Sequence, residues 1–205
     1  MKKRSIRLLE ASGVASGLLT EKMLNYEIEE LAVNDLEKRG LTAAEIKGIL
    51  RKVATIMDAI ELEAIDGACI LDGVVETLEM LKNRGVKIGI ITRSCREYAI
   101  RVIDKFGLQN VIDAVAARDD VLRPKPAAEH PRYLMKILGV NPSETALVGD
   151  HLMDVLCAEN ADIKFFLLAR AETDLRAFKG HNHEVLHDIR ELVGIVGEAC
   201  NRKHA

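Results

Sequence analysis

Apolar positions recur every three or four residues through the first third of the chain, then give way to short unbroken apolar runs. Across residues 21–38, Leu24, Ile28, Leu31 and Leu36 share one helical face, and Arg39-Gly40 follows as a C-terminal stop. Thr42-Ala43-Ala44-Glu45 has capping-box spacing and opens a second helix through Ile46, Ile49, Leu50, Val53 and Ile56. From Gly73 onward, helix and strand patterns alternate. Helices are predicted over 74–83, 98–106, 133–138, 154–160 and 189–199, with Gly85, Gly107 and Gly139 as stops for the first three. Strands are predicted over 86–91, 111–116, 145–148 and 163–168, with a short last one at Val185-Leu186. Their apolar residues do not alternate with polar ones, as expected of strands covered on both faces. Near the start, Ile6-Arg7-Leu8-Leu9 reads as one more strand, ending in the small-residue loop Glu10-Ala11-Ser12-Gly13-Val14.

This alternation predicts an α/β fold, a Rossmann-like parallel sheet with helices on both faces. Residues 1–16 and 71–205 would form that core, and residues 17–70 a helical cap inserted after the first strand. In open α/β sheets, ligands gather at the carboxyl ends of the strands. The run Ala146-Leu147-Val148 ends there at Gly149, and Asp150 and Asp154 follow, four residues apart. Two carboxylates suit a hard cation such as Mg²⁺, which takes oxygen ligands and keeps some waters. The same two residues also read as a turn residue and a helix N-cap. Thr92, Arg93 and Ser94 close the 86–91 run. Beyond 111–116 come Arg118-Asp119-Asp120, Arg123 and then Lys125 between two prolines. A hydroxyl, cations and carboxylates on neighbouring strand ends can hold a phosphate beside Mg²⁺, with Thr92, Arg93 and Lys125 on the phosphate and Asp150 and Asp154 on the metal. Arg93 and Arg123 also fit a solvated rim.

The 205 residues carry a formal net charge of −3, so no global basic surface is available to nucleic acid. Cys69, Cys95, Cys157 and Cys200 are far apart, as reduced thiols of a cytoplasmic protein would be. Cys95, at a predicted helix start, reads as a buried structural thiol. The basic Met1-Lys2-Lys3-Arg4-Ser5 leads into no long apolar stretch, so neither a signal peptide nor a membrane span is expected. His181, His183 and His187 fall beside Gly180 and Asn182 and read as a solvated loop rather than a metal site.

Three stretches together carry a family resemblance: Asp72-Gly73-Val74-Val75-Glu76-Thr77-Leu78 with Gly85–Thr92, Lys125-Pro126, and Val148-Gly149-Asp150 with Asp154. In this order the chain resembles the haloacid dehalogenase-like hydrolases, in the phosphatase-type branch with a small helical cap. Asp72 stands where that family commonly has proline. The resemblance implies Mg²⁺-dependent hydrolysis of a small phosphorylated metabolite by a monomer or homodimer with no nucleic-acid or membrane partner. It also implies a first motif, Asp-x-Asp-Gly-Thr/Val, whose first Asp is the nucleophile and whose second is the acid/base. Aligned on Gly13-Val14, those catalytic and metal-ligating positions are held by Glu10 and Ser12, the latter ligating through its backbone carbonyl. Leu71-Asp72-Gly73-Val74 looks similar, but Ile70 stands two residues before Asp72 and only one helix separates it from the second-motif strand, which excludes that register.

Glu10 would displace the nucleophilic oxygens by about 1–1.5 Å, and a misplacement of about 1 Å can cost about 10²-fold. Ser12 cannot act as a general acid near neutral pH, a loss of about 10²–10⁴-fold. The sequence therefore predicts a hydrolase with altered or impaired catalysis. The alternative is a catalytically inactive member of the fold that binds a phosphorylated ligand or a protein partner. Dehalogenation is disfavoured by the acidic pair. Phosphonate cleavage would need a Schiff-base lysine, and nothing selects one among Lys22, Lys38, Lys47 and Lys52.

Overall fold

Lys, Arg, Leu, Glu and Ala, all strong helix formers, make up most of residues 2–11. In the computed structural model, which describes the backbone of residues 2–202 and the side chains of residues 2–197, this segment is a helix, α1 (Lys2–Ala11), and not the expected first strand. Three apolar residues in four positions fit either period, and what they pack against decides between them. Here Ser5, Ile6 and Leu9 fall on one buried helical face. That face meets α2 (Asn25–Lys38) and α3 (Ala43–Glu63) in a core that includes Leu9, Val14, Ile28, Ala32, Leu36, Ile46 and Val53. The capping box of α3 forms as its sequence requires: the Glu45 amide donates to Thr42 Oγ1 at 3.4 Å, and the Thr42 amide to Glu45 Oε2 at 2.8 Å. Met1–Asp66 therefore form one helical unit. Residues 1–16 belong with these helices rather than with a core of 71–205, and among the described residues no strand precedes them.

The second unit, Gly67–Ala205, is the parallel α/β body. In chain order it contains α4 (Val74–Asn83), β1 (Gly89–Ile91), α5 (Arg96–Lys105), β2 (Ala114–Ala116) and α6 (Glu129–Leu138). Then follow β3 (Ala146–Gly149), α7 (Leu152–Ala161), β4 (Lys164–Leu168), β5 (Glu184–Leu186) and α8 (Glu191–Arg202). All pairings are parallel. Alternate residues of β4 serve opposite faces. Phe165 and Leu167 pack in a cluster with Met135 of α6 and Val155 and Ala158 of α7. Phe166 and Leu168 pack with Leu81 of α4 and Leu192 of α8.

The sheet is split. One part has the order β1-β2 and the other β3-β4-β5. The strands expected over 86–91 and 111–116 contract to three residues each. At the start of that ladder a side chain takes over from the backbone: the Ile88 amide donates to Asp113 Oδ2 at 2.7 Å, and Asp113 is paired with Lys82. Hydrogen bonding to Lys82 and Ile88 holds the Asp113 carboxyl below its ordinary range. Among the described residues Cys69, Cys95 and Cys157 form no disulfide, while the side chain of Cys200 lies outside the described residues.

Candidate functional site

The candidate site lies where β1, β2 and β3 of the second unit end. Thr92 follows β1, and its amide donates to Ala116 O of β2 at 3.0 Å. Its hydroxyl oxygen accepts from the Ser94 amide at 3.1 Å, a local turn bond that fixes the loop. Arg93 NH1 donates to the carbonyl of Lys125, and the carbonyl of Arg93 accepts from NH1 of the buried Arg118 at 2.9 Å. Lys125 Nζ then lies 2.6 Å from Asp154 Oδ1, with both side chains largely buried. A continuous chain of contacts thus runs from Thr92-Arg93 through Lys125 to Asp154, and joins the carboxyl ends of β1 and β3.

Asp154 is held closely. Its Oδ2 accepts from the His151 amide at 3.2 Å, so it closes the first turn of α7, and its other oxygen faces Lys125. Gly149 is what permits this: a Cβ there would lie 2.6 Å from the Asp154 carboxylate. Asp150, by contrast, is exposed and ion-paired with Arg170 at the end of β4. Beside it opens a cleft of about 350 Å³, lined by Asp150, His151, Leu152, Arg170, Thr173 and Phe178 among others.

Sequence reasoning missed two residues. His130 of α6 is fully buried. Its Nδ1 accepts from the Lys125 amide at 3.1 Å, which leaves Nε2–H to donate to Ala116 O at 3.0 Å. Burial pushes its pKa down to about 4, and the nearby Lys125 adds to the shift against the opposing bond to Ala116. His130 is thus a neutral brace that sets the backbone of Lys125. Its only sequence signal is a polar residue in the first turn of an apolar helix. The other is Arg170, whose position just past a strand end could have marked it.

Arg96 and Asp120 brace the other rim. The guanidinium grips both carboxylate oxygens, and Asp120 Oδ2 also accepts from the Ala117 amide at 2.7 Å. Burial alone would raise the Asp120 pKa, but these bonds outweigh it and hold the carboxyl low. Cys95 is buried and caps α5, its sulfur accepting from the Tyr98 amide at 3.5 Å. Cys157 is also buried, with its thiol pushed up to about 12 by desolvation, so it is no nucleophile. His181 Nδ1 lies 3.0 Å from Glu159 Oε2 and His183 Nδ1 lies 2.9 Å from the His181 carbonyl. Among the described residues, the three histidines do not gather as metal ligands.

Glu10 and Ser12 are not where the motif alignment requires them. Both belong to the helical unit, at and just past the end of α1, and neither ends a strand. Glu10 Oε1 accepts from the Gly17 amide at 3.0 Å, and Ser12 Oγ donates to the Leu8 carbonyl at 2.8 Å. These bonds satisfy polar groups at and just past a helix terminus.

A model of the haloacid dehalogenase-like hydrolase family matches residues 16–168, and so begins beyond Glu10 and Ser12. A pyrophosphatase PpaX from Halalkalibacterium halodurans is 36% identical over 129 residues, 62% of this chain and 59% of the relative. A second PpaX, from Bacillus velezensis, is 38% identical over 91 residues, 44% of this chain and 42% of the relative. The chain therefore matches about half the length of these curated relatives. Among solved structures, a hydrolase from Pseudomonas syringae superposes with a TM-score of 0.63 at 21% identity, covering 95% of this chain and 90% of that one. A putative phosphoglycolate phosphatase from Lactobacillus plantarum gives 0.61 at 16% identity, covering 94% and 89%. With the parallel α/β body, the strand-end residues and a match over residues 16–168, the chain belongs to the haloacid dehalogenase-like hydrolase family.

Proposed function

We propose that this chain binds the phosphoryl group of a small phosphorylated metabolite, together with Mg²⁺, at the carboxyl ends of β1 and β3, and that its own residues support little or no hydrolysis. The observation that carries this reading is the Lys125–Asp154 pair at 2.6 Å, tied through Arg93 to Thr92. An incoming phosphate would take the Lys125 ammonium and the Thr92 hydroxyl as partners, which frees Asp154 for a cation. Mg²⁺ binds through one or two carboxylates, waters and a substrate phosphate, and Asp150 with Asp154 fits that donor set. When bound, the metal would supply charge neutralisation at the phosphoryl oxygens. Arg170, paired with Asp150, would turn to the ligand or the cleft once the cation competes for that carboxylate.

Impaired chemistry follows from Glu10 and Ser12, whose side chains serve helix-end and turn bonds in the other unit. The relatives with pyrophosphatase names suggest inorganic pyrophosphate as one candidate among small phosphorylated compounds. Calorimetric titration with inorganic phosphate in the presence of Mg²⁺ tests the binding claim. Saturable binding that weakens without Mg²⁺ is expected, and the reading fails if neither ion binds. Release of phosphate from pyrophosphate at the rates of an efficient phosphatase would overturn the claim of impaired chemistry.

A further inference from the structure

Thr92 and Lys125 belong to different segments, the first to the turn after β1 and the second to the loop between β2 and α6. Two side chains that share one small anion must be held to about 0.5 Å of their binding geometry. A single carbonyl links the two segments. Ala116 O, at the end of β2, accepts from the Thr92 amide at 3.0 Å and from His130 Nε2 of α6 at 3.0 Å. Nδ1 of the same ring accepts from the Lys125 amide at 3.1 Å. A backbone amide can only donate, so Nδ1 carries no proton, and the ring proton on Nε2 goes to Ala116. Thr92 and Lys125 are thus joined by three hydrogen bonds through one carbonyl and one rigid imidazole.

Ala116 and His130 are fully shielded from water, so bulk solvent does not compete for these bonds. Other bonds on the loop act on carbonyls: Arg93 NH1 on that of Lys125, and Asn160 Nδ2 on that of Pro126 at 2.9 Å. The His130 bond acts on the amide of Lys125 itself, next to the Cα that bears the ammonium chain. The ring faces the cations Lys125 and Arg93 and the carboxylate of Asp120. Burial, with the two cations adding to it against the bonds to Ala116 and Ala117, keeps the imidazole neutral at neutral pH. Nδ1 can therefore accept from Lys125 throughout that range.

We propose that His130 is a positioning residue of the phosphate site, which sets the Lys125 ammonium against the Thr92 hydroxyl through the shared Ala116 carbonyl without touching the phosphate itself. This rests on the reading that Thr92 and Lys125 hold the phosphoryl group. The imidazole suits the task because it offers an acceptor and a donor at fixed separation on one rigid plane. Asparagine in its place would keep an acceptor near the position of Nδ1, and glutamine a donor near that of Nε2, but neither keeps both. With glutamine the Lys125 amide loses its acceptor, and the loop relaxes away from the geometry that meets Thr92.

The test is an NMR titration of the full chain with inorganic phosphate in the presence of Mg²⁺, for the natural protein, His130→Asn and His130→Gln. Phosphate affinity should fall about ten-fold in His130→Gln and by no more than about three-fold in His130→Asn, which keeps the Lys125 end. In a Lys125→Met background, His130→Gln should cost no further affinity, because the ammonium that it positions is gone. A histidine that served only the core would lower affinity alike in both backgrounds, and that outcome overturns the proposal. Equal affinity in the natural protein and both His130 variants overturns it as well, while the phosphate-site reading stands. No binding by the natural protein overturns that reading, and the role of His130 with it. If the His130 variants do not fold, the natural protein decides the matter. Its His130 Nδ1 resonance and its Lys125 amide should shift along one saturation curve as phosphate is added, and an unmoved Nδ1 resonance would overturn the coupling.

Discussion

Leu9, Ala32 and Leu36 of the helical unit are fully shielded from water, whereas Gly89 of β1 and Ala146 of β3 are exposed. The two regions are equally apolar along the chain, so the difference lies in how each closes its surface. A helix satisfies its own backbone and needs only one face covered, which α1, α2 and α3 do for one another. A strand's backbone is satisfied by neighbouring strands, and among the described residues β1 and β3 are each hydrogen-bonded to one strand, β2 and β4. Apolar periodicity therefore closes the helical unit with contacts inside residues 1–66, while a similar apolar fraction in the second unit leaves the strands in two separately paired sets, β1-β2 and β3-β4-β5.

The contrast can be broken most directly in the helical core. Leu36→Ala should destabilise that unit by about 2–5 kcal/mol, measured by chemical denaturation, because a well-closed core cannot collapse around the cavity. In the α/β body the next largest effect is pH-dependent. His130 titrates near 4 when folded and near its ordinary 6.5 when unfolded, so the unfolded state binds its proton first. Stability from this residue is complete above about pH 7 and declines as pH falls from about 6.5 toward 4, by about 1.4 kcal/mol for each pH unit within that window. Denaturation midpoints across this range should show that slope in the natural protein and lack it in His130→Gln.

Lys125→Met should lower phosphate affinity by about 10- to 100-fold in calorimetry, the value of a charge-assisted bond. Gly149→Ala sets a methyl 2.6 Å from Asp154 and should cost about 1–3 kcal/mol. Its Mg²⁺ affinity should fall along with its stability, as the carboxylate is pushed aside. The smallest effect sharpens the comparison from the other side. Glu10→Asp with Ser12→Asp should change stability by no more than about 1 kcal/mol and yield no gain in phosphate release, since both residues serve bonds in the helical unit. A gain in turnover would return those positions to the active site.

Much of this arrangement was legible in the residues. Thr42 through Glu45 announced a helix start that the structure forms bond for bond, because a capping box is complete within four residues. The strand ends carrying Thr92, Lys125, Asp150 and Asp154 were marked by apolar runs followed by a polar residue or a glycine. Ile6 through Leu9 misled because four residues cannot separate a period of 2 from one of 3.6, and the choice falls to the partners α2 and α3. The roles of His130 and Arg170 were out of reach for a similar reason. Their partners, Lys125, Ala116 and Asp150, are brought in by long-range packing.

By itself, then, the sequence determined the alternation of helix and strand, the helix caps and the residue types at the strand ends, because these rest on periodicity and on bonds within a few positions. Only the tertiary structure decided that residues 2–11 join the helices, that Asp154 is locked to Lys125 while Asp150 turns to Arg170, and that the strands divide into β1-β2 and β3-β4-β5. Those outcomes depend on which distant surfaces meet, and each segment's own pattern is compatible with more than one of them.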